Sequence, residues 1–302
     1  MTIKLSVVVS CYNQEDYISE CLDSIFNQKT DFNFEVIVAD DFSSDGTREV
    51  IKKCCDKYSN KIRVLYQKKN VGAARNYIAL HNLALGEYVS HIDGDDIMLS
   101  GKLQAQVDVM DTYPDCNIVF HQAEFFSDDN KYIAKTGQLF FGDIFFLSLS
   151  ELARWGTIAV HSSYMYRRST RLTRAYNKDF MEWFFAMESL IAGGRAAFIN
   201  KVMVRYRCNQ SGNNYLSSLS GRKKAYLILI NDVMNLFEML PSIRADLYVQ
   251  QTINIAMYAR FFKKIDNIMF TFLLKNIFYF NVFKFIQAVR VRKMIGPLRK
   301  NR

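Results

Sequence analysis

Between residues 5 and 92 the chain carries four short apolar, β-branched runs, at 5–10, 34–39, 62–66 and 87–92, and each is separated from the next by a segment of helical spacing. In the first such segment Tyr17, Ile18, Cys21, Leu22, Ile25 and Phe26 recur on one face; 45–58 and 73–85 predict a second and third helix. Strands that are apolar throughout need cover on both faces. That points to a doubly wound α/β unit built on a parallel sheet. Ligands in such sheets bind beyond the carboxyl ends of the strands, which here read Cys11-Tyr12-Asn13, Asp40-Asp41, residues 67–71 and Asp93-Gly94-Asp95-Asp96.

After Lys102 the order is less regular, with a helix expected at 103–110, a strand at 118–121, a Phe-rich stretch at 139–147, a helix at 180–192 stopped by Gly193-Gly194, and a strand at 202–206. The polar run 209–220 reads as a linker. The expected organisation is therefore a catalytic domain over 1–214 and a helical region over 215–302. Half of the 302 residues are hydrophobic and 23% are charged, which supports a large core and excludes a disordered chain. Charge is unevenly placed: residues 215–302 hold 15 Lys and Arg against 4 Asp and Glu, whereas residues 1–214 hold 24 against 26.

A basic tail on a near-neutral body predicts contact with an anionic surface, and a membrane is expected rather than nucleic acid. Seven aromatic residues (Phe270, Phe272, Phe278, Tyr279, Phe280, Phe283, Phe285) cluster there, but the longest uncharged run among them is eight residues, too short to span a bilayer. The expected arrangement over 268–302 is an interfacial helix with Val282, Phe285, Ile286 and Val289 on one face and Lys284, Arg290, Arg292 and Lys293 exposed. The alternative is that these aromatics pack on the core or on a second subunit, so a homo-oligomer stays open. The seven-residue apolar run near the start has no small-residue cleavage site, and the six cysteines show no CxxC spacing, so a reducing cytoplasm and no zinc site are expected.

Asp93-Gly94-Asp95 sets two carboxylates on one tight turn, separated by a residue small enough for a nucleotide to approach. Hard oxygen ligands of this kind suit Mg²⁺ or Mn²⁺. Asp40-Asp41 is placed to grip a base or ribose, or else to cap the following helix. Arg75 stands where a guanidinium meets a diphosphate, or where it makes a surface ion pair. The four histidines (His81, His91, His121, His161) lack metal-binding spacing and read as structural, with His161 on the acceptor side.

The ordered runs SVVVSCYNQEDYISECLDSIFNQ, EVIVADDFSSDGT, NVGAARN and HIDGDD resemble family 2 of the glycosyltransferases over about residues 4–100, and more weakly to about residue 214. The resemblance implies a GT-A fold, a Rossmann-like doubly wound mixed sheet, here with a C-terminal helical, basic aromatic extension. It also implies a nucleotide-sugar donor of the UDP class, a divalent cation (Mn²⁺ or Mg²⁺) and inversion at the anomeric carbon. By motif, Tyr12 and Asn13 would lie beside the base, Asp40 and Asp41 on the nucleoside, Arg75 on the diphosphate, and Asp93, Gly94 and Asp95 at the ribose and metal. Glu182, in DFMEWFFAME, matches the family's catalytic base, with Asp179 as competitor or as N-cap of that helix. RYRCNQSGNN resembles the family's Tyr-Arg-x-His element, but Asn209 stands in the histidine's place. The expected activity is transfer to a lipid-linked or growing polysaccharide acceptor in O-antigen or capsule synthesis, on the cytoplasmic face of the cell membrane. Two rivals remain open. A sugar-phosphate nucleotidyltransferase wants a Gly-rich loop after the first strand, which CYNQEDY lacks, and a non-catalytic adaptor on a transferase fold would account for the tail alone.

Overall fold

The computed structural model describes residues 3–59, 61–137, 142–171, 179–208, 219–296 and 298–299. The alternating pattern folds as β1 (Leu5–Cys11), α1 (Ile18–Phe26), β2 (Phe34–Asp40), α2 (Thr47–Lys57), β3 (Ile62–Tyr66), α3 (Ala73–His81) and β4 (Tyr88–Asp93). These four strands are parallel in the order β3-β2-β1-β4. The chain therefore leaves β1 in one direction and returns to its other side, so the connections diverge at the carboxyl ends of β1 and β4.

The period of two is visible in the packing. Leu5, Val7 and Val9 enter one core with Ile18, Leu22, Val36 and Ile51, while Val8 enters the opposite core with Ile37, Leu80 and Val89. Two ends differ from the sequence pattern for local reasons. Helix α2 starts two residues late, at Thr47, where Asp45 makes a local turn by accepting from Thr47 N at 3.0 Å and Gly46 holds the N-cap position. Helix α3 stops at His81 because the amides of Leu85 and Gly86 turn to Ser6 Oγ at 3.1 and 2.9 Å.

The second half adds β5 (Ile97–Met98), α4 (Lys102–Thr112), β6 (Cys116–Phe126), β7 (Tyr132–Lys135), β8 (Ile144–Leu147), α5 (Leu149–Trp155), β9 (Met165–Arg167), α6 (Glu182–Ile191) and β10 (Arg195–Arg207). The expected short strands at 118–121 and 202–206 are the middles of the long β6 and β10, which pair in parallel through two bulged stretches. Antiparallel β9 lies between β4 and β6, so the sheet is mixed.

The chain continues as α7 (Leu219–Met239), α8 (Arg244–Phe262), α9 (Asn267–Lys275), α10 (Val282–Ile295) and β11 (Leu298–Arg299). The linker expected at 209–220 lies, up to residue 218, outside the described residues, as does the 214/215 boundary. Beyond it, Val233, Leu236 and Phe237 of α7, Leu247 and Val249 of α8, and Ala288, Val291 and Ile295 of α10 share one hydrophobic cluster with Val8 of β1 and Trp155 of α5. No single helix among the described residues is long and apolar enough to cross a membrane.

The face expected for α10 needs correction. Lys284 points inward to Asp246 of α8 at 2.7 Å, and Arg292 bonds Gln250 Oε1 and the Trp155 carbonyl. Phe285 and Val289 pack against the core, while Phe283 is 80% exposed and Ile286 is 42% exposed. The helix is thus turned so that two of its basic residues face protein acceptors and a different set of apolar residues faces solvent.

Candidate active site

The loop after β1 is tied to the loop after β2. Asn13, at φ +52°, donates its backbone N–H to Ser43 Oγ at 2.9 Å, and its Oδ1 accepts from Ser44 N at 2.9 Å. Tyr12 beside it is half-buried. Asn13 therefore shapes the cleft wall by joining two strand ends, a role distinct from the base contact that the resemblance implies.

Asp40 and Asp41 are both buried, and both are occupied by the protein. Asp40 accepts from Arg48 Nε at 2.6 Å and from Ser43 N at 3.2 Å. Arg48 also donates to the Gln67 carbonyl at 2.8 Å and lies over the Phe42 and Tyr66 rings at 5.1 and 5.3 Å. Asp41 accepts from Val71 N at 2.7 Å and Gly72 N at 2.9 Å, so it fixes the turn that launches α3. Burial raises the Asp41 pKa, while those two amides oppose the shift. Neither acid caps α2, whose N-cap position is Gly46. Arg75, in the first turn of α3, is exposed and makes no hydrogen bond or ion pair among the described residues. Its guanidinium is thus available to an anion.

At the end of β4 three carboxylates crowd together. Asp96 is buried, with Oδ2 accepting from Ser162 Oγ at 2.5 Å and Oδ1 from Arg207 N at 2.8 Å. Arg207 Nε donates to the Asp95 carbonyl at 2.9 Å, and its other arm meets Glu20 at 2.9 Å. Burial, and then the neighbouring Asp93 charge, push the Asp95 carboxyl up to about 7. Burial, then Asp95 and Asp93, push Asp96 well above the usual range. Clustered carboxylate oxygens, two of them raised by their neighbours' charge, fit a divalent cation of the Mg²⁺ or Mn²⁺ class, which would be held through Asp95 and Asp93. Gly94 between them answers to packing: a Cβ there would meet Gln14 Oε1 at 2.5 Å and Ile18 Cδ1 at 2.9 Å. The glycine thus makes room for those two side chains.

His91, which the sequence marks only as structural, reaches Asp93 Oδ1 through Nε2 at 3.0 Å. Its Nδ1 meets His81 Nε2 at 3.0 Å, and His81 Nδ1 meets the Tyr166 hydroxyl at 2.7 Å, a buried chain that orients Asp93. The signal was available, because residues 91 and 93 share a face of one strand. His91, Asp93 and His161 bring ligand atoms within 4.8 Å of one another. However, the His91 and His161 rings stack at 3.8 Å and 20°, so one ion cannot lie in both ring planes, and these rings do not form a metal pair.

Glu182 opens α6. Burial, with a smaller push from Asp93, raises its carboxyl to about 7, while its own backbone N–H opposes the shift. Trp183 next to it is core, 1% exposed, with Nε1 donating to the Leu152 carbonyl at 3.2 Å; it anchors the helix start. Asp179 instead forms a half-exposed ion pair with Lys224 at 2.8 Å, and the N-cap position of α6 is Met181. The Met181 N–H is taken at 2.9 Å by Asp232 of α7, a buried carboxylate that sequence reasoning missed, held 51 residues further on. Asn209, the departure noted in RYRCNQSGNN, lies outside the described residues.

Residues 6–172, more than half of the chain, match the sequence profile described as Glycosyl transferase family 2. The chain belongs to that family. "Uncharacterized protein Rv1520" of Mycobacterium tuberculosis is 29% identical over 209 residues, which cover 69% of this chain and 60% of that protein. The chain thus matches about three fifths of this relative's length. Among solved structures, Staphylococcus aureus TarS 1-349 in complex with UDP-GlcNAc superposes with a TM-score of 0.62 at 19% identity, over 97% of this chain and 84% of that one. The mannosyltransferase PcManGT from Pyrobaculum calidifontis, in complex with GDP-Man and Mn²⁺, superposes with a TM-score of 0.59 at 16% identity, over 98% and 86%. These likenesses show the GT-A fold of this family 2 glycosyltransferase, a mixed α/β sheet followed by a helical region.

Proposed function

We propose that this glycosyltransferase moves a hexose or N-acetylhexosamine from a UDP-sugar to a lipid-linked or growing polysaccharide acceptor of a surface glycan, with inversion and with help from Mn²⁺ or Mg²⁺. The observation that carries the reading is the split between two carboxyl sites: a crowded acid cluster at the end of β4, and the half-buried Glu182, raised to about 7, at the start of α6. Two acid sites on separate elements suit two roles, charge stabilisation at one and proton transfer at the other. A divalent cation, when bound, would stabilise charge on the departing diphosphate. Arg75 adds a second positive group there, and Asp93, oriented by His91, keeps its place beside the donor. Glu182 accepts the proton of the acceptor hydroxyl as that oxygen attacks the anomeric carbon from the face opposite the diphosphate. The UDP-GlcNAc complex of TarS and the Mn²⁺ complex of PcManGT support the donor class and the cation.

The test is Glu182→Gln, read first with a panel of UDP-sugars and Mn²⁺. Turnover should fall by roughly 10² or more with donor affinity little changed. Normal transfer by this variant, with loss in Asp179→Asn, would move the base to Asp179.

A further inference from the structure

The helices after α8 are firmly attached on one side and strongly apolar on the other. On the inner side Phe272 packs against Phe237 at 5.0 Å, the Tyr248 hydroxyl donates to the Leu273 carbonyl at 2.8 Å, and Lys284 pairs with Asp246. Ala288, Val291 and Ile295 complete the attachment. The segment is therefore ordered protein whose orientation is fixed by contacts. Its outer side should then carry polar residues, as a solvated helix face does. Instead Ile268 is 72% exposed, Leu274 58%, Ile277 60%, Phe278 72% and Phe283 80%. Of the exposed large hydrophobic residues among the described residues, twelve fall between Phe261 and Met294, so the exposure is concentrated rather than scattered.

Charge decides what covers this ridge. Lys263, Lys264, Lys275, Arg290 and Lys293 are exposed around it. Asp266 is the only carboxylate side chain in the sequence after Asp246, and it pairs with Lys264 at 3.1 Å. A second copy of the chain, docked face to face, would bring the same cations together across a two-fold axis and repel itself. An anionic lipid surface complements both the apolar ridge and its rim. We infer that the outer face of α9 and α10, with the turn between them, is a docking surface that lies in the headgroup layer of an anionic membrane. The inward-facing Lys284, Phe285, Val289 and Arg292 take no part in it. This surface stands on exposure and charge alone and does not depend on the catalytic reading, though it would hold the active site near a lipid-linked acceptor.

Removing the segment would also remove Phe272, Ala288 and Ile295 from the core, so point variants on the outer face make the cleaner test. The full-length protein is floated with phosphatidylcholine vesicles, with and without phosphatidylglycerol, and compared with Phe278→Ser/Phe283→Ser and with Lys275→Gln/Lys293→Gln. The native chain should bind the anionic vesicles, more weakly at high salt, and each double variant should lose roughly tenfold or more at unchanged Tm. Equal flotation of native and Phe278→Ser/Phe283→Ser protein overturns the inference. So does equal binding to neutral and anionic vesicles, or a dimer by light scattering that this variant dissolves, since the ridge would then be a contact between copies.

Discussion

The ends of β2 and β4 look alike in sequence, Asp-Asp in one and Asp-Gly-Asp-Asp in the other, yet the protein treats them oppositely. At β2 it answers each carboxylate: Arg48 meets Asp40, and two backbone amides meet Asp41. At β4 three acids stay close together: His91 meets Asp93, Ser162 and Arg207 N meet Asp96, and Asp95 still rises to about 7. Acids answered one by one with a guanidinium and amides are framework, whereas a cluster in which neighbouring carboxylates still raise Asp95 and Asp96 suits a ligand of opposite charge. By that contrast the β2 pair is framework, and the β4 cluster is where we propose that the cation binds.

Removing the framework charge should do the most damage. Asp40→Ala removes the carboxylate partner of Arg48 at the end of β2 and should cost about 2 kcal/mol of stability, read by chemical denaturation. A loss near zero would mean that the pair is not framework at all. Removing charge from the β4 cluster should act in the opposite direction. The Asp95 carboxyl holds its proton to about 7 in the folded chain and only to the ordinary aspartate value when exposed, so metal-free stability falls as pH rises between those values. Asp95→Asn should therefore stabilise the metal-free protein at pH 8, by of order 2 kcal/mol, with the gain fading towards pH 4. Destabilisation at pH 8 would break the comparison. The smallest effect belongs to Arg75→Ala, which should weaken UDP-sugar binding by about tenfold at unchanged Tm, measured by calorimetry. Unchanged affinity would free Arg75 from the diphosphate.

Much of this was legible before any coordinates, because it rests on local pattern. The strand-helix alternation placed four carboxyl ends in order, and Asp93, Asp95 and Glu182 followed from motifs that span a few residues each. Contacts made across the chain were not legible. Arg48 finds Asp40 only because the first turn of α2 folds back over β2, and Asp232 finds Met181 from a helix read as a separate region. The periodicity of α10 allows two faces, each with aromatic and basic residues. Asp246, Gln250 and the Trp155 carbonyl, all on other elements, select the one that turns inward. The packing of Gln14 and Ile18 against Gly94 is likewise set by contacts that no local pattern shows.

The central claim is that the β4 cluster, and not the β2 pair, holds the cation that helps bind the donor. It is tested most directly by titrating UDP-GlcNAc and UDP-glucose into the native chain and into Asp95→Ala, each with Mn²⁺ and with chelator. The native protein should bind the preferred donor more tightly with Mn²⁺, and Asp95→Ala should bind it equally weakly in both conditions. If Asp95→Ala keeps the full Mn²⁺ enhancement, the cation sits elsewhere and the account of the β4 cluster is wrong.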